Sequence, residues 1–223
     1  TDWMNNLLYE ISSFMVMRES TVWRWSHTRH HSDTIVVGRD PEIAVPRPPD
    51  LKKFCLVFTG IPGVRGYFKK LFLHSTGRLD PEEATYIPAS DHERIFFMAR
   101  VSLLIYLGVV AACFVSGSIL PLMFIGLPNL YGAWLAPVYG DTQHAGLAEN
   151  VLDHRMNCRT VMMNPLNRYL YWNMNFHVEH HMFPLVPYHN LPRLHKIVRD
   201  DMPTPYPGLL DAWREIIPAV WRQ

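Results

Sequence analysis

From Val101 to Gly140 the chain runs forty residues without an Asp, Glu, Lys, Arg or His. The hydrocarbon core of a bilayer takes about 20 helical residues per crossing, so this run is too long for one span and the right length for two. Gly117, Ser118 and Pro121 supply a break near its middle. The sequence therefore predicts a transmembrane hairpin, one limb over roughly 95–116 and the other over roughly 119–139. Paired core helices of a soluble protein would carry a polar stripe, and these segments carry none. The mean hydropathy of −0.04 hides this, because the apolar residues are unevenly spread along the chain.

Lys69, Lys70, Arg78, Arg94 and Arg100 precede the run, and Arg155, Arg159 and Arg168 follow it. The link between the limbs is too short to hold a domain, so the positive-inside rule puts both flanks in the cytoplasm. Tyr131, Trp134 and Tyr139 are expected at the membrane interface near the end of the second limb. The predicted architecture is an all-α integral membrane protein, a hairpin bearing a cytoplasmic, histidine-rich helical cap. One domain is expected over 1–223, with 1–94 cytoplasmic or interfacial, 95–139 in the membrane and 140–223 cytoplasmic.

Within that frame, residues 1–31 read as helical, with Leu7, Leu8, Ile11, Phe14 and Met15 at helical spacing. Residues 39–50 are Pro-rich and extended, and 51–73 are apolar but broken at Pro62, which suits two short interfacial helices. Residues 75–91 read as polar loop, with His74 and His92 as loop histidines. Helix in pieces is expected over 141–181, then a Pro-punctuated tail with a helix near 208–217. The net charge of +1 gives no basic field for nucleic acid. Cys55, Cys113 and Cys158 form no CxxC pair, their odd number argues against a disulfide framework, and they give no iron–sulfur pattern. There is no glycine-rich nucleotide fingerprint either. The chain opens Thr1-Asp2-Trp3 without a signal peptide, and further residues are expected upstream.

The chemistry lies in the twelve histidines. His27-Thr-Arg-His30-His31 and His177-Val-Glu-His180-His181 share the pattern HxxHH. On a helix, positions i, i+3 and i+4 share a face, so each pentapeptide gathers three imidazoles. Such a face suits metal binding better than solvated surface. Six clustered imidazoles exceed what one tetrahedral ion can use, so two ions are implied. Imidazole serves Fe, Zn, Cu and Ni alike and does not choose among them.

HTRHH, an apolar hairpin, QHAGL, HVEHHMFP and VPYHNLPRLH, in that order, resemble the membrane fatty acid desaturase and hydroxylase superfamily. The wording of WRWSHTRHH, GRDPE, DTQHAGLAENVLDHR and YWNMNFHVEHHMFPLVPYHNLP is similar to its bacterial branch, which includes rhizopine-catabolism oxygenase-like proteins. The resemblance implies a di-iron centre on the cytoplasmic side, using O2 and two electrons to desaturate or hydroxylate a C–H bond of a lipid-like substrate. Zinc is the implied substitute ion. The donor implied is an external ferredoxin, Rieske type included, and the other partner is membrane lipid.

By the same resemblance, His27, His30 and His31 match the second histidine box, and His177, His180 and His181 the third. His144 in QHAGL matches an additional ligand of many members; the alternative is an interfacial histidine bonded to backbone. His154 is read as a salt-bridged structural residue, with a ligand role as the alternative, and His189 and His195 as non-ligands. The family's first box, HxxxH, has no counterpart here, so N-terminal truncation is expected; by the resemblance at least two ligands are then lacking, and a chain without them is expected to have an incomplete di-iron site and no activity. Asp33, Asp40, Glu149, Asp153, Glu179 and Asn173 are candidates to support the ligands. Arg24, Arg29 and Arg39 are their expected charge partners. Two rival readings stand beside this one: a membrane zinc hydrolase using the Glu of HVEHH, and a non-catalytic metal-binding membrane protein.

Overall fold

A computed structural model describes residues 1–43 and 50–222. The Pro-rich stretch predicted to be extended lies largely outside the described residues, at 44–49. Among the described residues the secondary structure is helical, with two isolated bridges and no strand, as the sequence predicts. In chain order the α-helices are α1 (Asp2–Met15), α2 (Ser20–Ser32), α3 (Leu51–Val57), α4 (Ile61–Ser75), α5 (His92–Ser116), α6 (Leu120–Phe124) and α7 (Pro128–Tyr131). They continue as α8 (Leu135–His144), α9 (His154–Asn157), α10 (Pro165–Leu170), α11 (His177–Met182), α12 (Leu191–Val198) and α13 (Leu209–Arg222). The contacts gather into two compact units, Thr1–Arg29 with Lys52–Trp134, and His30–Leu51 with Leu135–Gln223.

In the first unit the helical stretch expected over 1–31 is two helices. Met17 adopts a left-handed φ of 53°, and the Glu19 carboxylate accepts from the Val22 amide at 2.6 Å, opening α2. α4 and α5 form the core of this unit. Leu71, Ala99 and Tyr106 are buried together, with Tyr67 and Phe68 against them, and Arg100 Nε donates to the Ser75 carbonyl at 3.0 Å. That pairing of residues 67–75 with 106–100 makes the two helices antiparallel. At the start of α4, Gly60 has a φ of 73° and a Cβ there would lie 2.1 Å from the Asn129 carbonyl, so only glycine fits.

The run from Ala89 to Ser116 is long and apolar enough to cross a membrane. Leu104, Leu107, Phe114 and Val115 are exposed along it. The second limb predicted over 119–139 is not one helix. It breaks into α6, α7 and the start of α8, of five, four and ten residues, around Pro121, Pro128 and a Gly126 at φ 112°. Proline removes the interior hydrogen bond and positive φ ends a helix, which absence of charge alone did not reveal. Tyr131 and Trp134 are exposed, but Tyr139, expected at an interface, is buried and stacked on Tyr171 at 4.8 Å.

His74 and His92 are not loop residues. His92 opens α5, and His74 is buried in the last turn of α4 with its Nε2 2.7 Å from Glu83 Oε2. Lys70 Nζ reaches the other oxygen, Glu83 Oε1, at 2.8 Å. The loop folds back because this fully buried carboxylate needs those partners.

In the second unit, α13 packs Ala212 and Ile216 on Val161, and Trp213 Nε1 donates to the Val138 carbonyl of α8 at 3.0 Å. Residues 160–162 form an extended strut bridged to Phe176 on one side and Tyr206 on the other. Arg159, expected on the charged flank, is instead buried. It donates to the Thr142 and Ala145 carbonyls at 3.0 Å each and pairs with Glu215 at 3.1 Å. It thereby satisfies open carbonyls at the C-terminal end of α8.

Glu83 carries a prediction for stability. Burial opposes its ionisation, but the bonds from His74 and Lys70 outweigh that and hold its pKa at about 2, against an ordinary 4.5. The folded value lies below the unfolded one, so its stabilisation is full above pH 4.5 and drains away as pH falls toward about 2. Acid unfolding followed by Trp fluorescence in detergent should show this component in the wild type and lack it in Glu83→Gln. Glu83→Ala, which strands its partners, should cost about 3 kcal/mol at neutral pH.

Candidate metal centre

α2 ends in the second box, and its last turn turns His30 inward, 3% exposed. The chain then doubles back through residues 33–40, with Ile35 at a left-handed φ of 52°. That costs strain for a β-branched residue. The reversal brings Asp40 Oδ2 to 2.8 Å from His30 Nδ1 and 2.9 Å from the Ile35 amide, while Oδ1 takes the Glu42 amide at 2.9 Å. Burial works against the Asp40 carboxylate, but His30 and the two amides outweigh it and hold its pKa below the ordinary value.

His144 closes α8 and is 7% exposed. Its Nδ1 lies 2.8 Å from the Asn157 carbonyl oxygen. α11 starts at the third box, and its i, i+4 pair His177 and His181 share a buried face. The ligand nitrogens of His30, His144, His177 and His181 all lie within 4.8 Å of one another. His31 Nε2 faces His180 Nε2 at 3.1 Å beside them, and the His31 ring stacks on His181 at 4.2 Å between centroids. His27 sits one turn before His31 on α2, stacked on Trp23 at 5.2 Å.

The hydrogen bonds assign the protons. A carbonyl or carboxylate oxygen only accepts, so His144 and His30 carry their protons on Nδ1. Thr34 gives its own hydroxyl proton to the His30 carbonyl at 2.6 Å, so at 3.2 Å it accepts from His181 Nδ1. His144 and His181 therefore turn an acceptor Nε2 inward. His177 Nε2 stands 2.8 Å from His144 Nε2 and 3.0 Å from His181 Nε2, and one proton cannot satisfy both contacts. His177 Nδ1 is buried with no partner among the described residues.

A second proton is not taken up. Burial, reinforced by the neighbouring His30 ring, pushes the His144 pKa down to about 3. Burial and the adjacent histidines also push His177 and His181 far below the ordinary value. Converging imidazole nitrogens can hold a cation, and a ring whose Nδ1–H is held by an outer oxygen is oriented as metal-binding histidines are. The donor set fits a transition metal, and nitrogen donors suit iron and zinc alike.

Of the expected supporting residues, Asp40 holds His30 as predicted in kind. Asp33 pairs with Arg39 at 3.0 Å. Asp153 is a surface cap paired with Arg155, and Asn173 Oδ1 accepts from Arg168 Nε at 3.0 Å. Glu179 is fully buried; its Oε2 accepts from Thr160 at 2.6 Å and its Oε1 binds His195 Nδ1. His154 makes no salt bridge among the described residues; its Nδ1 lies 3.4 Å from Asn157 Oδ1. The backbone bond weighed as the alternative for His144 is present at Nδ1, and it leaves Nε2 facing His177 Nε2 at 2.8 Å. Sequence reasoning missed Asn157 and Thr34, whose contributions come from atoms that carry no motif.

No curated protein and no solved structure matches the chain. The fatty acid desaturase family model matches residues 1–213, nearly the full length, and the seven predicted ligand histidines fall inside that match. Buried, converging imidazoles on the family's box positions and a match of this extent agree, and the chain belongs to the fatty acid desaturase family.

Proposed function

We propose that this protein is an O2-dependent di-iron oxidoreductase of the membrane, which desaturates or hydroxylates a C–H bond of a lipid-like substrate with electrons from an external ferredoxin. The family supports the oxidoreductase class and its usual di-iron, O2-dependent chemistry. The observation that carries the reading is the convergence of four buried rings, His30, His144, His177 and His181, whose ligand nitrogens all lie within 4.8 Å of one another. These four would hold one ion; His31 and His180 would take part in holding the other, and His27 is assigned to the ligand set by the box pattern of the sequence alone. Bound iron supplies the oxidising power that no side chain has.

The chain's own part is to hold and to exclude. Asp40, the Asn157 carbonyl and Thr34 each keep a proton on an Nδ1, which fixes ring orientation and raises the basicity of the inward nitrogen. The four rings are 2–7% exposed, so bulk water does not compete for the same space. The hydrolase rival needs Glu179 as a base, yet both of its oxygens are occupied by Thr160 and His195. For placement we infer that Ala89–Ser116 crosses the bilayer and that the uncharged, broken stretch after it returns to the same face, so that the Lys and Arg on both sides of the run lie in the cytoplasm. The exposed Arg193 and Lys196 of α12 offer an acidic ferredoxin a landing point. The wording around the boxes supports the bacterial branch, and we take residues 1–223 to act as one desaturase-like domain.

Elemental analysis of protein purified from its membrane should find about two irons per chain by this reading. His177→Ala should lose at least one of them, and Asp40→Asn should weaken iron retention by roughly 10- to 100-fold without unfolding the chain. A single zinc per chain with esterase activity would favour the hydrolase instead. Mass spectrometry of host lipids should show an O2-dependent product that disappears with His180→Ala. A product profile indifferent to that substitution would place catalysis elsewhere.

A further inference from the structure

Beside the histidine cluster stands a thiol that the reading above does not use. Cys158 is 3% exposed and follows directly on α9. Its Sγ and one ring nitrogen each of His154 and His181 all lie within 4.8 Å of one another. Asn157, itself fully buried, arranges them. Its Nδ2 donates to the Thr34 and Val151 carbonyls at 3.2 and 3.0 Å, which fixes the amide so that Oδ1 points the other way. That Oδ1 accepts from Cys158 Sγ at 3.2 Å and lies 3.4 Å from His154 Nδ1. An amide oxygen only accepts, so His154 carries its proton on Nδ1 and keeps Nε2 bare, as His144 and His181 do. His154 is partly exposed and His181 is buried, so the three donors lead inward from solvent.

Two imidazoles and a sulfur make a softer donor set than four imidazoles, and thiolate selects zinc-like ions over iron. We propose that His154, Cys158 and His181 form a second metal site, for a thiophilic divalent ion such as zinc or cadmium, distinct from the nitrogen-only cluster. Binding breaks the Cys158 S–H bond and makes a sulfur–metal bond; the proton leaves to solvent and no electrons are transferred. Because His181 belongs to both sets, an ion held here withdraws a donor from the cluster. Competition with iron through that ring rests on the reading of the cluster as the iron centre; the thiolate site does not.

Cobalt titration of membrane-reconstituted protein carrying Cys55→Ser and Cys113→Ser, which leaves Cys158 as the sole thiol, reads the site directly. A thiolate-to-cobalt charge-transfer band should grow to one equivalent. Cys158→Ser should abolish it, His154→Ala should weaken cobalt binding at least tenfold, and His30→Ala should leave it intact. A parent without the band overturns the proposal. So does a band indifferent to His154→Ala, or one lost with His30→Ala, since the sulfur would then belong to the nitrogen cluster. Absence of iron before any cobalt is added, in protein that then develops the band, would count against the iron centre and leave the thiolate site standing.

Discussion

A neutral imidazole has one donor nitrogen and one acceptor nitrogen, and in this protein the acceptors have been brought face to face. Three of the four rings meet an oxygen at Nδ1, and the Nε2 atoms of His144 and His181 both face His177 Nε2. In a buried site such an arrangement is unfavourable until a cation fills it. The unpartnered Nδ1 of His177 adds to that imbalance. Local distortion accompanies it, since Ile35 accepts a left-handed backbone so that Asp40 can return to His30. Asp40, the Asn157 carbonyl and Thr34, all in the second unit, hold three of these rings in place.

The frame that does so is polar as well as apolar. His144 is the last residue of α8, where helix carbonyls lack partners. Arg159 enters the core to take the Thr142 and Ala145 carbonyls and is itself neutralised by Glu215 on α13. A buried arginine is tolerated there because several of its donors meet oxygens. The same strand of chain continues into the 160–162 strut, whose Thr160 anchors Glu179. One short segment thus ties the end of α8, the third box and α13 together.

The sequence made legible what repeats or runs, and concealed what depends on a single backbone atom. Two HxxHH pentapeptides and QHAGL marked seven histidines, four of which meet in one cluster. The uncharged run marked α5 as apolar enough to span. It misled over 119–139, because lack of charge reports solubility in lipid while prolines and a positive-φ glycine decide continuity. Glu179 looked like a free carboxylate beside the ligands, and its two partners lie 16 and 19 residues away. Asn157 was invisible for the opposite reason: its essential group toward His144 is a carbonyl, which every residue has.

The six residues of α11 show how tightly such a site constrains its helix. A helix this short has no stability of its own and no intrinsic means of fixing its rotation about its axis. Rotation matters here, because one residue of slip turns each side chain by about 100° and would trade His177 and His181 for Val178 and Met182. The neighbours settle it. Val178 is buried at 1% exposure, and Glu179 is gripped by Thr160 from the strut and His195 from α12. With that side pinned, His177 and His181 face the cluster and His180 is left opposite His31. The glutamate in the middle of the box therefore acts on the histidine cluster through geometry, and its carboxylate is occupied by Thr160 and His195.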